Sequence, residues 1–170
     1  YTMGYQQSGA KVTVKNFYIS RYNVSYGKYD NYTKIIGGHY VDPEGKKYHV
    51  FDRTPEHPVE LLTWYQANDY CQFLAKKTGF SYDLPTAAQW EYVGRNGGKA
   101  NWNFPTNNGK QEIGKNFPSF KQLKNQPNKH SGDTAPLPVG SLPCTPIHIC
   151  GLTGEVNEWL KDSGQNNTRE

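Results

Sequence analysis

The sequence lacks the features of several large classes of protein. No run of apolar residues approaches the roughly 18 that a membrane-spanning helix needs, so we predict no membrane span. The formal net charge is only +4, and the lysines are scattered among acidic and polar residues instead of forming a basic stripe. Since binding to nucleic acid depends on clustered positive charge, we predict no nucleic-acid partner.

The common catalytic motifs are also absent. The chain has five histidines: His39, His49, His57, His130 and His148. None of them forms an H-x-x-x-H or H-E-x-x-H pair, the spacing that places two metal ligands on one helix face. There is no Gly-rich phosphate loop and no Gly-x-Ser-x-Gly elbow either. We expect His57 to be structural and not a catalytic base.

Cysteine is rare, with three residues in the chain. We expect Cys71 to be a small buried apolar residue. For Cys144 and Cys150 three interpretations remain: a disulfide, a metal or redox pair with His148, or two unrelated core thiols. The disulfide is favoured because it would brace an irregular loop, whereas a redox pair usually has C-x-x-C spacing. A disulfide predicts a periplasmic or secreted protein.

Aromatic residues, glycine and proline are plentiful. The 13 Tyr, 7 Phe and 4 Trp predict an interior of large rings whose polar edges need hydrogen-bond partners. The 17 Gly and 11 Pro favour turns and irregular segments. A chain of 170 residues suits one domain with its own core. We therefore predict a single, loop-rich α+β domain.

Periodicity places the regular elements. Residues 12–19 alternate and are rich in β-branched and aromatic residues, which predicts a strand pair with a turn near Ser8 and Gly9. A first helix is predicted from residue 25, with one face formed by Tyr26, Tyr29, Tyr32 and Ile36, ending at Gly37 and Gly38. A second amphipathic helix is predicted over residues 63–78, ended by Gly79.

Two later segments carry the most information. Residues 84–92 read LPTAAQWEY, and Thr86 is placed to cap a short helix beginning near Ala87, with Gln89 three residues further on. Residues 154–159 read GEVNEW. The motif positions that we single out are Leu84, Pro85, Thr86, Trp90, Glu91 and Trp159. Between the two motifs, residues 96–140 are too long for a structureless connector unless they are functional or held by a ligand.

Weaker pieces precede these two segments, at residues 1–4, at residues 17–25, at Pro58 and Val59, and at positions between Thr63 and Cys71. Taken together in this order, the pieces resemble the formylglycine-generating enzyme family, also called the sulfatase-modifying-factor family. The two segments are similar to its LPTEAEWEY and GNVWEW motifs, and the resemblance spans nearly the whole chain. It implies a C-type-lectin-like fold with short helices, small antiparallel sheets and much irregular loop. It also implies one domain, residues 1–170, in which the family's C-terminal segment is lacking.

The resemblance places the family's reactive, copper-binding cysteine pair beyond the last residue of this sequence. We therefore expect no catalytic residue and no copper in this chain. It also implies a calcium site formed by the carbonyls of Gly154 and Val156 and the carboxylate of Glu158, with Gly151 at a position that normally supplies a side chain. Glu155 is expected to add charge to this site, since calcium takes six to eight oxygen ligands. The alternative role for Glu158 is a hydrogen-bonded carboxylate that holds the loop beneath Trp159.

A second set of calcium ligands maps by resemblance onto Asn116, Phe117, Lys129 and Ser131. Lys129 would stand where the family has an acidic ligand, so we expect this second site to be empty.

The leading functional hypothesis is a non-catalytic binding or regulatory domain that recognises a protein partner in the periplasm or outside the cell. Similar members include TagR-like regulators of type VI secretion, and residues 96–129 are the expected contact surface. One alternative is a formylglycine-generating oxidase whose catalytic cysteine segment lies outside this sequence. Another is a carbohydrate-binding module, with Trp102 as the residue expected to stack on sugar.

Overall fold

The structure, a computed structural model, describes residues 1–4, 9, 11–38, 54–99, 102–126 and 134–162. Four helices lie in these ranges: α1 (Tyr26–Ile35), α2 (Trp64–Thr78), α3 (Ala87–Gly94) and α4 (Phe120–Lys124). Backbone pairing within the described ranges is limited to isolated bridges. No helix in these ranges has the length and apolar character needed to cross a membrane.

Helix α1 confirms the predicted tyrosine face. Tyr26, Tyr29 and Tyr32 are all buried. The rings of Tyr29 and Tyr32 lie 5.7 and 5.3 Å from the ring of Tyr70 on α2, so tilted and edge-to-face ring contacts join the two helices. The prediction was wrong for Ile36, which is more than half exposed because α1 ends one residue earlier.

Helix α2 begins and ends as predicted. Thr63 accepts a hydrogen bond from the backbone N–H of Gln66, and the Gln66 side chain accepts one from the backbone N–H of Thr63. This capping box satisfies amides that the first turn leaves without partners. At the other end Gly79 takes a φ of 78°, and its N–H donates to the carbonyl of Ala75. Glycine reaches that left-handed conformation without steric cost.

The predicted strand over residues 12–19 forms only in part. Thr2 and Lys11 make an antiparallel bridge, and Tyr1 and Val12 exchange backbone hydrogen bonds of 2.7 and 2.9 Å. Exposure alternates from Lys11 to Lys15, as in a strand. A ladder needs a second backbone alongside, and the described residues supply one only at this bridge. The predicted turn near Ser8 falls largely outside the described residues.

The core lies where α1 meets the segment before α2 and the segment after α4. Tyr26 packs with Ala135, and Val59 covers them. Backbone hydrogen bonds fix this arrangement, with the N–H of Tyr26 donating to the carbonyl of His57. The N–H of Val59 donates in turn to the carbonyl of Val24. Non-local main-chain pairs therefore replace a regular sheet here.

Helix α4 was not predicted, and it lies inside the long polar segment 96–140. Ser119 and Gln122 form a third capping box at its start. The loop before α4 is organised by Asn116, which is 1% exposed. Its amide nitrogen donates to Asn107 Oδ1 and to the carbonyl of Lys110, while its oxygen accepts from the N–H of Glu112. Hydrogen bonds around the buried Asn116 side chain thus order a segment that composition alone marked as irregular.

Candidate functional site

The first motif forms the base of the candidate site. Thr86 caps α3 with Gln89 in a capping box, as predicted. Leu84 is buried just before the cap. Helix α3 ends at Gly94, and the N–H groups of Gly97 and Gly98 both donate to the carbonyl of Tyr92. These local interactions hold Trp90 on a short, rigid helix.

The second motif lies directly against the first. The indole N–H of Trp90 donates to Glu158 Oε2. The indole N–H of Trp159 donates to the carbonyl of Leu62 at 2.7 Å, just before α2. The indole of Trp64, the first residue of α2, donates to the carbonyl of Leu160 at 2.9 Å. Three tryptophans therefore tie residues 158–160 to α2 and α3.

Two further contacts attach the end of the second motif to the start of α3. The N–H of Lys161 donates to the carbonyl of Pro85 at 2.9 Å. Asp162 Oδ1 accepts from the N–H of Ala87 at 2.7 Å. An acidic side chain at a helix N-terminus is favourable because the first amides are unpaired and the helix dipole is positive there.

Glu91 turns away from this junction and holds the N-terminal residues. Its Oε1 accepts from the N–H of Gly4 at 2.7 Å and from Arg95 Nε at 2.8 Å. Arg95 is itself buried and donates to the carbonyl of Gly4. The pair is therefore a structural clamp between α3 and the chain start.

An open cavity of about 580 Å³ lies beside the junction of the two motifs. Trp90, Val156 and Leu160 form part of its wall, together with three carboxylates. Burial raises the pKa of Glu60 to about 7 and that of Glu155 to about 7. Desolvation disfavours the charged form of a carboxylate, so both side chains bind protons far more tightly than exposed glutamates.

Glu158 is held from two sides. Besides the Trp90 indole, it accepts a hydrogen bond from Asn23 Nδ2 at 2.5 Å. Burial raises the pKa of Glu158, and the hydrogen bonds from Trp90 and Asn23 act in the opposite direction. This geometry supports the hydrogen-bonded role that the sequence left open for Glu158, and it leaves calcium ligation as a prediction.

The oxygen atoms around Glu158 bear on the predicted calcium site. Two buried oxygens, Asn23 Oδ1 and Glu155 Oε1, accept no hydrogen bond within the described residues. A buried oxygen without a donor is destabilising and suits an oxygen-seeking cation. The described part of the chain contains no group of three or more His, Cys, Asp or Glu side chains arranged to hold a metal. A cation here would therefore depend on amide and backbone oxygens as well as carboxylates.

The second mapped set of ligands is only partly described. Asn116 is committed to its own loop through the network given above. The carbonyl of Asn116 also accepts from Thr153 Oγ1 at 3.3 Å. Lys129 and Ser131 lie outside the described residues.

Trp102, the predicted sugar-stacking residue, is half-buried. Gly109 lies close against its ring, so a side chain there would collide with the indole. The carbonyl of Trp102 accepts from Arg95 Nη1 at 3.4 Å. One face of the ring is therefore covered by the protein, which leaves less surface for stacking than a fully exposed tryptophan would offer.

The cysteines occupy two different environments. Cys144 and Cys150 form a disulfide, the first of the three interpretations given above. The hydrogen bond from the N–H of Thr145 to the carbonyl of Ile149 closes the same loop. Cys71 is half-buried on α2, and burial raises its thiol pKa to about 11. Neither arrangement favours a thiolate at neutral pH.

Sequence reasoning missed two residues of this region, Asn23 and Glu60. Asn23 follows an extended segment and comes 135 residues before its partner Glu158. Glu60 precedes α2 and is not among the motif positions singled out from the sequence. No local pattern predicts the hydrogen bond of Asn23 to Glu158 or the burial of Glu60. Both depend on the path of the chain between distant segments.

Comparison with known proteins places these motifs in a family. A family model for the sulfatase-modifying factor enzyme 1-like domain matches residues 1–169. The formylglycine-generating enzyme of Mus musculus is 32% identical over 131 residues, which cover 75% of this chain and 33% of that protein. The chain thus spans about a third of the length of this relative.

Relatives with other names match as well. The serine/threonine-protein kinase Pkn1 of Chlamydia trachomatis serovar L2 is 34% identical over 63% of this chain and 14% of the kinase. The chaperone protein LppX of Paenibacillus barcinonensis is 24% identical over 89% of this chain and 64% of that protein. The structure of PvdO from Pseudomonas aeruginosa superposes with a TM-score of 0.57 at 22% identity, covering 84% of this chain and 62% of PvdO. That likeness establishes a shared fold.

Proposed function

The chain belongs to the sulfatase-modifying-factor family, and from this membership we propose that it is a non-catalytic recognition domain. Its partner is a protein in the periplasm or outside the cell. The state of the cysteines is the observation that carries the proposal. The resemblance ties the family's oxidase activity to a reactive cysteine pair other than Cys144 and Cys150. The cysteines of this chain do not replace that pair, because Cys144 and Cys150 form a disulfide and burial raises the pKa of the Cys71 thiol to about 11.

The disulfide also supports the proposed location. Structural disulfides persist in oxidising compartments and are rare in the cytosol, where thiols are kept reduced. The Cys144–Cys150 bond closes a short loop that is also held by backbone hydrogen bonds and by the Thr145 side chain. A covalent link is a common means of bracing such an irregular segment.

A protein partner is supported by the segment before and within α4. Ile113 and Phe120 are 68% and 67% exposed although both are large and apolar. The Asn116 network and the Ser119 capping box hold them on an ordered backbone. Rigid apolar side chains on a loop lose little entropy on binding. The relative named a chaperone protein, which covers most of this chain, is consistent with action on another protein.

Calcium is the proposed structural ion of this domain. Glu158, the carbonyls of Gly154 and Val156, and Glu155 are the residues proposed to hold it. When bound, a calcium ion would neutralise the buried carboxylates and cross-link the loop of the second motif. The protein itself orients Glu158 through the N–H groups of Trp90 and Asn23.

The test of partner recognition is affinity capture from cells that naturally produce this chain. A partner captured by the wild type should be lost with Phe120→Asp, because a charge in the centre of an apolar contact is costly to desolvate. Phe80→Asp is the matched control, since Phe80 is 74% exposed and lies outside this segment. Equal capture by all three proteins would contradict the proposed surface.

A second candidate function follows from the relatives named formylglycine-generating enzyme. It is tested by incubating the protein purified from the cells that naturally produce it with copper, oxygen and a cysteine-containing peptide, and measuring aldehyde formation with a hydrazide probe. A recognition domain gives no aldehyde above the peptide-only reaction. Turnover that survives Cys71→Ser would point to chemistry elsewhere in the chain, and any turnover at all would overturn the non-catalytic proposal.

A further inference from the structure

Gly151 and Asn23 share one small volume next to the second motif. Gly151 has a φ of +81°, and a Cβ atom built on it would collide with Asn23 Oδ1. The side chain of Asn23 therefore occupies the space into which a side chain at position 151 would project. Because protein interiors are close-packed, such a volume holds one side chain and is rarely left empty.

The orientation of Asn23 in that volume is fixed by its nitrogen. Nδ2 donates to Glu158 Oε1 at 2.5 Å, so the amide plane is set by a buried carboxylate. The other half of the amide, Oδ1, is buried and accepts no hydrogen bond within the described residues. An amide whose role was only to hold Glu158 would be expected to satisfy its oxygen as well.

A second unpaired oxygen lies in the same loop as Glu158. Glu155 Oε1 is buried and likewise accepts no hydrogen bond within the described residues. Glu155 and Glu158 line the same cavity, together with Gly154 and Val156. Hard divalent cations take ligands of this kind, namely carboxylate, amide and backbone carbonyl oxygens.

We propose that Asn23 supplies, through Oδ1, the side-chain ligand that Gly151 cannot provide, so that a calcium site is completed by a residue distant in sequence. This inference rests on the calcium part of the proposed function and is independent of the protein partner. It assigns Asn23 two tasks, since Nδ2 positions Glu158 and Oδ1 faces the cation.

The first measurement is calcium binding by the wild-type chain after treatment with EGTA. Terbium luminescence sensitised by tryptophan reports occupancy, and calcium competition gives Kd. Thermal unfolding gives an independent readout. For a site in the weak range typical of extracellular modules, about 10 mM calcium should raise Tm by about 3–10 °C. If calcium produces no shift in Tm and terbium gives no sensitised luminescence, both the calcium site and the role of Asn23 are overturned.

Variants of Asn23 then separate a ligand from a positioning residue. Asn23→Ala should raise the Kd for calcium at least tenfold. Asn23→Asp keeps a ligand oxygen but has no N–H to hold Glu158, so calcium binding should be retained or tightened. Loss of binding in Asn23→Asp equal to that in Asn23→Ala would overturn the ligand assignment while leaving the calcium site in place.

Two further proteins complete the design. The double variant Asn23→Gly with Gly151→Asn moves the amide to the other side of the shared volume, and asparagine tolerates the left-handed backbone at position 151. It should bind calcium more tightly than Asn23→Ala. Asn16→Asp places the same change of charge on an exposed residue and should leave Kd unchanged. A similar tightening in Asn16→Asp and Asn23→Asp would show a general charge effect and overturn the proposal.

Discussion

The indole N–H of Trp90 donates to the carboxylate of Glu158 across 68 residues of sequence. One partner lies on a capped helix and the other in a loop without regular structure. The contact joins the two motifs by which the family is identified. Because Glu158 is half-buried and burial raises its pKa, its charged form depends on the N–H donors around it.

Replacing Trp90 by phenylalanine should therefore destabilise the fold. The ring is kept, but the buried carboxylate loses one of its two side-chain donors, at a cost of about 1–3 kcal/mol. Denaturant unfolding measures the change. Trp102→Phe is the matched control, because the Trp102 indole makes no hydrogen bond in the described part of the chain. Equal losses in the two variants would show that ring volume, and not the hydrogen bond, matters at Trp90.

Asn116→Ala should unfold the loop before α4. The change removes hydrogen bonds to Asn107, to the carbonyl of Lys110 and from the N–H of Glu112. Losing the hydrogen bonds of this buried amide should cost about 1–3 kcal/mol. Limited proteolysis and denaturant unfolding report the local and global effects. Asn103→Ala, at an exposed position of the same segment, should change stability by less than about 0.5 kcal/mol. A stable, protease-resistant Asn116→Ala would disprove the organising role of this side chain.

Thiol alkylation should detect one slowly reacting cysteine in the native protein. Burial raises the pKa of Cys71 from 9.0 to about 11, and only the thiolate is nucleophilic. The rate at Cys71 should therefore increase with pH through about 11, whereas a small model thiol reaches its plateau two pH units lower. Mass spectrometry locates the label, and two further sites should react only after reduction. A rate that levels off near pH 9 would show an exposed thiol.

Glu60→Gln should stabilise the protein at high pH. The folded-state pKa of about 7 lies above the ordinary value of 4.5 because burial penalises the charge. The stabilising contribution of the protonated side chain is thus fully present below pH 4.5 and is lost as the pH rises through 7. Glutamine carries no charge, so the variant should exceed the wild type at pH 8 by about 2–3 kcal/mol and match it at pH 4.

The measurement for Glu60 is denaturant unfolding at both pH values in the presence of EGTA. Glu56→Gln is the control, because the pKa of Glu56 is shifted in the opposite direction: a hydrogen bond with the Thr54 side chain lowers it. That substitution should not increase stability at pH 8. A pH profile of Glu60→Gln parallel to that of the wild type would show that Glu60 does not titrate in this range.

The sequence was sufficient for the features that depend on near neighbours. The capping box at Thr86, the tyrosine face of α1 and the stop at Gly79 are all decided within one or two helical turns. The motifs around Trp90 and Trp159 identified the family for a related reason, since each is a continuous run of residues. Helix α4 was not predicted, because five residues are too few to show a helical period of apolar residues.

Only the tertiary structure decided which distant residues meet. Asn23 reaches Glu158 across 135 residues, and no spacing in the sequence encodes that contact. The carboxylate of Glu60 became unusual only because folding buried it beside the second motif. Residues 12–19 have the residue alternation of a strand, but a ladder also needs a neighbouring backbone. Local propensity and short-range hydrogen bonds depend on neighbouring residues and can be predicted from the sequence. Burial and long-range pairing exist only once the chain has folded back on itself.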